Sequence, residues 1–282
     1  MRTYLDCIPC FFRQALNAAR LAGANEDTQK RILDSLAAEI PNFPLSSSPP
    51  EMGRIVYRLV REITGEEDPF KKVKDEYNKV ALNIYPNLKE KVADSKDRLL
   101  AAIRLAIAGN IIDFGPDSSF NLQKEIEDVF QKDFAVFDYQ EFKEALKSTK
   151  QILYLADNAG EVVFDRILIE ELAKEVIYVV RDKPAINDAL IEDAKFCGID
   201  KIAKVISNGS DVPGTVLSLC SKDFLSLYEK AKLIISKGRG NFEGLAGSDN
   251  APIFFLFEVK CPVIGNDVGC NVGDIVLKYN CK

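Results

Sequence analysis

The stretch ILYLADNAGE, residues Ile152–Glu161, decides the predicted fold. An apolar run of strand length, Ile152–Ala156, ends abruptly at Asp157, and an amphipathic segment begins at Val162. This order predicts a β-strand, a tight polar turn and a helix, which together form the first half of a βαβ unit. Ligands in open α/β sheets bind beyond the carboxyl ends of the strands, so we expect a site at Asp157 and Asn158.

Two interpretations of this turn are compatible with its residues. An acid beside an amide offers the hard oxygen ligands that Mg²⁺ or Mn²⁺ prefers. Alternatively, Asp157 only caps the following helix, and Gly160 only permits the turn. The turn by itself favours neither interpretation.

Strands and helices alternate after residue 152, which predicts a mostly parallel sheet with helices on both faces. The strand-like runs are Ile152–Ala156, Val176–Val180, Lys204–Ser207, Leu233–Ser236 and Ile253–Phe257. Before about residue 110 the patterns are helical. The prediction is therefore an α/β fold in which residues 111–282 form a Rossmann-like αβα sandwich and residues 1–110 form an N-terminal α-helical domain or cap.

The composition excludes several classes of function. The chain has no histidine, so a Ser-His pair, an HExxH zinc site and a histidine general base are impossible. The net charge is −6 and no basic block stands out, so we do not expect nucleic acid as a partner. No apolar run approaches the roughly 20 residues of a membrane span, and the first residues lack signal-peptide features. We expect a cytoplasmic protein with no membrane partner, and the sequence does not specify its oligomeric state.

The motif Cys7-Ile8-Pro9-Cys10 opens the first helical pattern. A CxxC at a helix start can be a redox pair, because the helix dipole lowers the pKa of a thiol, or it can be half of a zinc site. Redox motifs usually follow a strand, and only six residues precede this motif. These features favour a structural or weakly metal-binding role and leave the function of the motif open.

Four predicted strands end in polar or glycine-rich turns, which would lie along one edge of the sheet. The turns are Asp157–Glu161, Arg181–Pro184 with the following Asn187-Asp188, Ser207–Asp211, and Lys237–Gly244. Asp157, Asn158 and Asp188 would supply oxygen ligands for a divalent cation, and Lys237 would supply a positive charge for a phosphoryl group. Backbone N–H groups at Asn208-Gly209 and Gly238–Gly240 would bind an anion. Phosphoryl chemistry requires this combination, because it depends on positioning and charge neutralisation.

The segment Gly109–Gly115 brackets Asn110 and Asp113 between two glycines, at the joint between the helical part and the sheet. One interpretation is a helix C-terminus whose polar residues satisfy the turn. The other is that Asn110 and Asp113 contribute to the pocket. The residues themselves favour the first interpretation.

The ordered set of motifs resembles the metal-dependent damage-control phosphatases. The motifs are CxxC, GNIIDFG, ADNAGE, RDKPAINDA, SNGSDVPGT and SKGRGNFEGL, and they cover essentially the whole chain. The chain looks most like the CxxC-bearing subfamily common in archaea. The resemblance implies an αβα-sandwich catalytic domain with a helical domain. It also implies a divalent-metal phosphatase that acts on small phosphorylated metabolites, such as sugar phosphates or damaged and surplus phosphometabolites.

The resemblance carries over to individual residues. Asp157 and Asn158 match the family's metal ligands, Asp188 matches its second aspartate, and Lys237 matches the lysine expected on phosphate. With the resemblance, the two interpretations of Asn110 and Asp113, as pocket residues or as part of a helix C-terminus, are equally supported. The remaining residues in matching motifs, which we expect to bind substrate or phosphate, are Glu161, Asn208, Gly209, Gly238, Asn241 and Glu243. The sequence does not distinguish Mn²⁺, Mg²⁺, Co²⁺ and Ni²⁺ as the cofactor.

The expected reaction is hydrolysis of a phosphomonoester. The metal would act as a Lewis acid on a phosphoryl oxygen and lower the pKa of a bound water. Either that water or the Asp157 carboxylate would attack phosphorus, and water is the simpler choice if Asp157 is a metal ligand, with Glu161 or Glu243 to orient it. Two rival hypotheses are an S-adenosylmethionine-dependent methyltransferase, for which the first turn lacks the usual glycines, and a non-catalytic metal- or metabolite-binding protein.

Overall fold

The structure is a computed structural model that describes residues 1–111, 122–248 and 252–280, without the side chains of residues 110–126. Twelve α-helices lie in these ranges: α1 (Cys7–Leu21), α2 (Glu26–Glu39), α3 (Pro49–Thr64), α4 (Lys71–Ala93), α5 (Arg98–Ile111), α6 (Leu122–Gln131), α7 (Tyr139–Ser148), α8 (Val162–Leu172), α9 (Ile191–Phe196), α10 (Lys222–Lys230), α11 (Gly238–Leu245) and α12 (Pro262–Val268). None of the described helices is long and apolar enough to cross a membrane.

The described strands form one seven-stranded sheet. They are β1 (Phe134–Phe137), β2 (Gln151–Leu155), β3 (Glu175–Val180), β4 (Lys204–Ser207), β5 (Ile234–Lys237), β6 (Ile253–Glu258) and β7 (Ile275–Tyr279). Their order across the sheet is β1-β7-β6-β5-β2-β3-β4. Every neighbouring pair is parallel except β6 and β7, which are antiparallel. The predicted α/β fold with a mostly parallel sheet is therefore confirmed.

Both faces of the sheet are covered by helices, as the nearly continuous apolar strands require. Ile152 and Tyr154 of β2 belong to one core, which includes buried residues of α4, α5, α7, α8 and α9. Leu153 and Leu155 point the opposite way, into a second core with α10, α11 and α12. Alternate residues of one strand thus fill different layers, which gives the αβα sandwich.

A third core lies within the N-terminal helices. It joins buried side chains of α1, α2 and α3, and Ile186 from the loop after β3 packs against it. Helix α4 and nearly all of α5 lie before residue 110, yet both helices share a core with the sheet. The division into domains at residue 110 stays a prediction.

The five predicted strands are confirmed to within one residue at each end. Strands β1 and β7 were not predicted. β1 has only four residues, which alternate between half-buried and exposed positions. β7 is a short run that is antiparallel to β6 and parallel to β1, and such pairing is determined by distant parts of the chain.

Candidate active site

A cavity of about 510 Å³ lies between the N-terminal helices and the carboxyl ends of the parallel strands. Its sheet side includes Asp157, Asn158, Glu161 and Asp188. Its helical side is largely aromatic and amide in character, with contributions from α1, α3 and α4. The position agrees with the rule that α/β sheets bind ligands beyond the carboxyl ends of their strands.

Backbone hydrogen bonds fasten the turn after β2 to the loop after β3. The N–H of Ala189 donates to the carbonyl oxygen of Asp157 at 2.8 Å, and the N–H of Ala159 donates to that of Asn187 at 2.8 Å. An isolated β-bridge also joins Asn158 to Asp188. These bonds bring together the residues that the sequence predicted as metal ligands.

Asn158 connects two of the acidic side chains. Its Nδ2 atom donates to Oε1 of Glu161 at 2.7 Å and to Oδ2 of Asp157 at 3.1 Å. The N-cap of α8 is Glu161, so the structure does not support the interpretation in which Asp157 caps that helix.

Two glycines allow the close approach of backbone around the turn. Gly160 has φ of 82°, and its N–H donates to Oδ1 of Asn78 at 2.7 Å. Gly238 has φ of 75°, and a Cβ atom at this position would lie 1.8 Å from Oδ2 of Asp157. Only a glycine at 238 therefore leaves room for the carboxylate of Asp157.

Lys237 lies behind the cavity wall, and its side chain is fully buried. Its Nζ atom donates to Oε2 of Glu161 at 3.0 Å and to Oδ1 of Asp165 at 2.7 Å. Asp165 also accepts hydrogen bonds of 2.7 Å from the hydroxyls of Tyr154 and Tyr178. Burial acts to lower the pKa of Lys237, but the two carboxylates outweigh it and raise that pKa.

Arg181 is a buried residue that ties the strand ends together. Its Nε atom donates to Oδ2 of Asp188 at 2.6 Å, and its Nη2 atom donates to Oδ1 of Asn241 at 3.1 Å and to the carbonyl oxygen of Ala156 at 3.2 Å. Asn241 in turn donates to the carbonyl oxygens of Ala156 and Lys237. Asn241 thus joins β2 to the start of α11.

The predicted site residues fall into three groups. Those that line the cavity are Asp157, Asn158, Glu161, Asp188 and Glu243. Those near the strand ends that are not among the lining residues are Lys237, Gly238, Asn241, Asn208 and Gly209. Asp113 and the side chain of Asn110 lie outside the described residues. The roles predicted for all of these residues stay predictions.

The sequence interpretation missed Arg239 and Lys260, which both line the cavity. It also gave no role to Arg181 or Asp165. An arginine directly after the apolar strand EVIYVV was the available signal for Arg181, because the carboxyl end of a strand faces the expected site. For Asp165 the only signal was its position four residues after Glu161, on the same face of the helix.

Asp157, Asn158 and Asp188 carry carboxylate and amide oxygens, which are the ligand type that a divalent cation takes. Burial raises the pKa of Asp157 well above its usual value, and the charges of Glu161 and Asp188 raise it further, although Arg181 and Lys237 offset part of this effect. A divalent cation would neutralise the remaining negative charge. Within the described ranges, no group of three or more Cys, Asp and Glu side chains could hold a metal ion, but the proposed set contains only two carboxylates and one amide.

The CxxC motif lies at the start of α1, and both of its cysteines are free thiols of intermediate exposure. Gln14 donates from Nε2 to Sγ of Cys10 at 3.2 Å. Burial raises the pKa of Cys7, which does not favour a reactive thiolate. The role of this motif therefore remains open.

The fold and the cavity define a class: α/β proteins that bind a small ligand at the carboxyl ends of parallel strands, beneath a layer of helices. Residues 3–276 match the model of the damage-control phosphatase ARMT1-like domain. The chain belongs to this family. Family membership supports a phosphatase that acts on damaged metabolites, while the assignment to the CxxC subfamily stays a prediction.

The relatives are similar over nearly their whole lengths. The uncharacterized protein MJ0202 of Methanocaldococcus jannaschii is 39% identical over 96% of this chain and 93% of its own length. The damage-control phosphatase PH1575 of Pyrococcus horikoshii is 33% identical over 99% of both chains. The crystal structure of that DUF89 family protein superimposes with a TM-score of 0.92, covers 100% of both chains and shows 31% sequence identity.

Proposed function

We propose that this protein is a divalent-metal-dependent phosphatase that hydrolyses phosphomonoesters of small metabolites, such as sugar phosphates or damaged and surplus phosphometabolites. The observation that carries the proposal is the bridge that joins the Asp157-Asn158 turn to Asp188 at the wall of the cavity. Membership of the damage-control phosphatase family supports the phosphatase class.

Asp157, Asn158 and Asp188 would hold the cation. When bound, a divalent metal supplies a Lewis acid for a phosphoryl oxygen and a water of lowered pKa. The four candidates are Mn²⁺, Mg²⁺, Co²⁺ and Ni²⁺. All of them can take carboxylate and amide oxygens as ligands.

The surrounding residues of the chain hold these groups in place. Arg181 donates to one oxygen of Asp188, which fixes the orientation of that carboxylate. Lys237 and Asn158 both donate to Glu161, which keeps the carboxylate of Glu161 directed at the turn. Glu161 could then accept a hydrogen bond from the attacking water, and water is the proposed nucleophile because Asp157 serves as a ligand.

The helical wall of the cavity supports a small organic substrate. Phe11 and Gln14 of α1, Tyr57 of α3 and Tyr77 of α4 line it. Aromatic faces and amides of this kind suit a compact polar metabolite, because they combine apolar contact with a few orienting hydrogen bonds. The phosphate would then point toward the sheet.

The test is phosphate release from a panel of sugar phosphates by chelator-stripped protein, with each divalent metal added back separately. We expect metal-restored turnover, and a loss of at least ~10²-fold in Asp188→Ala, because a positioned charged group is removed. Asp182→Ala is the matched control, since Asp182 lies exposed in the same loop. This variant should keep the activity of the wild-type protein.

Two results would count against the proposal. If no metal restores turnover of any phosphoester, the phosphatase assignment is wrong, and metal-independent binding of adenosylmethionine would then support the methyltransferase hypothesis. Full turnover in Asp188→Ala would keep the activity but place the metal elsewhere.

A further inference from the structure

We propose that Arg239 binds the phosphoryl group of the substrate directly and that Glu243 positions its guanidinium. This inference rests on the proposed phosphatase function. It assigns the contact with phosphate to a residue other than the lysine that the sequence suggested.

Lys237 is already engaged by protein groups. Its ammonium is fully buried behind the cavity wall and donates to the carboxylates of Glu161 and Asp165 at 3.0 and 2.7 Å. The ammonium has a third N–H donor, but the side chain is fully buried and is not among the residues that line the cavity, so a direct contact with phosphate would require the lysine to move. Its charge therefore acts on the site mainly through Glu161.

Arg239 is better placed to meet a ligand. It lines the cavity, and its side chain is 30% exposed. Its Nε atom lies 3.4 Å from Oε1 of Glu243, one turn further along α11. Among the described residues, none accepts a hydrogen bond from its two terminal nitrogens, so both remain available to an oxyanion.

Arg239 lines the same cavity as the proposed metal ligands Asp157, Asn158 and Asp188. The carboxylate of Glu243 is the largest cause that raises the pKa of Arg239, and Asp157 contributes in the same direction. Arg239 and Asp157 line the same cavity, so a ligand that fills this cavity would meet both side chains. A phosphoryl group between them would meet a metal on one side and a fixed positive charge on the other.

The backbone around Arg239 is held rigidly. A Cβ atom on Gly240 would lie 2.7 Å from the carbonyl oxygen of Pro213, and one on Gly214 would lie 2.4 Å from the carbonyl oxygen of Gly240. Such close packing fixes the first turn of α11 against the segment after β4. The backbone of Arg239 is thus fixed in position, which favours the planar, bidentate contact that a guanidinium makes with phosphate oxygens.

The test compares binding of inorganic phosphate with turnover in Arg239→Gln and Arg239→Lys. We expect Arg239→Gln to weaken phosphate binding and to raise KM by about 10- to 100-fold, in line with the loss of a charged, bidentate contact. Arg239→Lys should bind phosphate more tightly than Arg239→Gln, because lysine keeps the positive charge but cannot make the bidentate contact of the guanidinium. Glu243→Gln should raise KM less than Arg239→Gln, because it disturbs the position of the guanidinium without removing it.

Arg166→Gln is the matched control. Arg166 forms the same kind of ion pair, with its Nε atom 3.1 Å from Oε1 of Glu170 one turn along α8, and it is not among the residues that line the cavity. Phosphate inhibition and KM should stay at the wild-type values in this variant. Thermal unfolding shows whether each variant is folded. If Arg239→Gln is not folded, Arg239→Lys serves as the test instead.

Phosphate affinity is measured by calorimetry on metal-loaded and metal-free protein, and also as product inhibition. An unchanged phosphate affinity in folded Arg239→Gln would overturn the inference, as would an equal loss in Arg166→Gln. If the wild-type protein binds phosphate but cleaves no ester, the proposed function fails. The calorimetry still decides the role of Arg239 in that case.

Discussion

At the scale of single residues, the contact between Gly238 and Asp157 is the tightest constraint on the site. The carboxylate occupies the space that a side chain at position 238 would need. The positive φ of Gly238 adds a second reason for glycine. The first residue of α11 thus helps to fix the direction of the Asp157 side chain.

We predict that Gly238→Ala reduces phosphate release by at least ~10²-fold, because the new methyl group displaces a proposed metal ligand. Gly65→Ala is the control, since Gly65 has φ of 74° but a Cβ there would meet no atom within 4 Å. That variant should lose only about 1 kcal/mol of stability and retain activity. Urea unfolding and phosphate release measure the two effects, and equal activity in both variants would contradict the prediction.

At the scale of elements, α4 connects the N-terminal helices with the turn after β2. Asn78 is buried in α4. It accepts a hydrogen bond from the N–H of Gly160 and donates to Oδ1 of Asp193 at 2.8 Å. One side chain therefore aligns α4 with both the site turn and α9.

We predict that Asn78→Ala lowers the free energy of unfolding by about 2–3 kcal/mol, because it leaves a buried N–H and a buried carboxylate without this partner. Asn83→Ala changes an exposed asparagine of the same helix and should have an effect within about 0.5 kcal/mol. Urea titration of the three proteins tests this. Similar unfolding midpoints for the two variants would show that Asn78 contributes little.

At the scale of the whole molecule, the burial of an ionisable thiol makes the free energy of unfolding decrease at alkaline pH. Burial raises the pKa of the Cys197 thiol from 9.0 to about 12. The folded protein therefore retains this proton where the unfolded chain loses it. The stabilising contribution is fully present below pH 9 and is lost as the pH rises towards 12.

We predict that wild-type protein loses about 1 kcal/mol of stability between pH 8 and pH 10 through this thiol. Cys197→Ala should be less stable at both pH values, because it leaves a cavity, but its decrease between them should be smaller by that amount. Urea unfolding at the two pH values measures the difference. Parallel decreases in the two proteins would show that Cys197 does not cause the pH dependence.

Sequence patterns predicted the elements whose own residues determine their structure. Strands β2 to β6 are short apolar runs between polar turns, so their positions follow from local patterns. The site turn at Asp157 follows from the general position of ligands in α/β sheets. The place of Arg239 and Lys260 could not be predicted, because periodicity does not tell whether a basic side chain on a surface element lines a cavity or extends into solvent.

The position of β7 sets an order for events during synthesis. β7 lies between β1 and β6. The N–H of Tyr279 in β7 donates to Oδ2 of Asp138 at 2.7 Å, and these two residues are 141 positions apart in the sequence. The ribosome synthesises β1 long before β7. Until β7 has been made, β1 has no strand to pair with, and the edge of β6 that β7 later covers is unpaired. Open edges of this kind invite pairing with other chains. The nascent protein therefore has a period of vulnerability that ends only when its latest described strand inserts into the sheet.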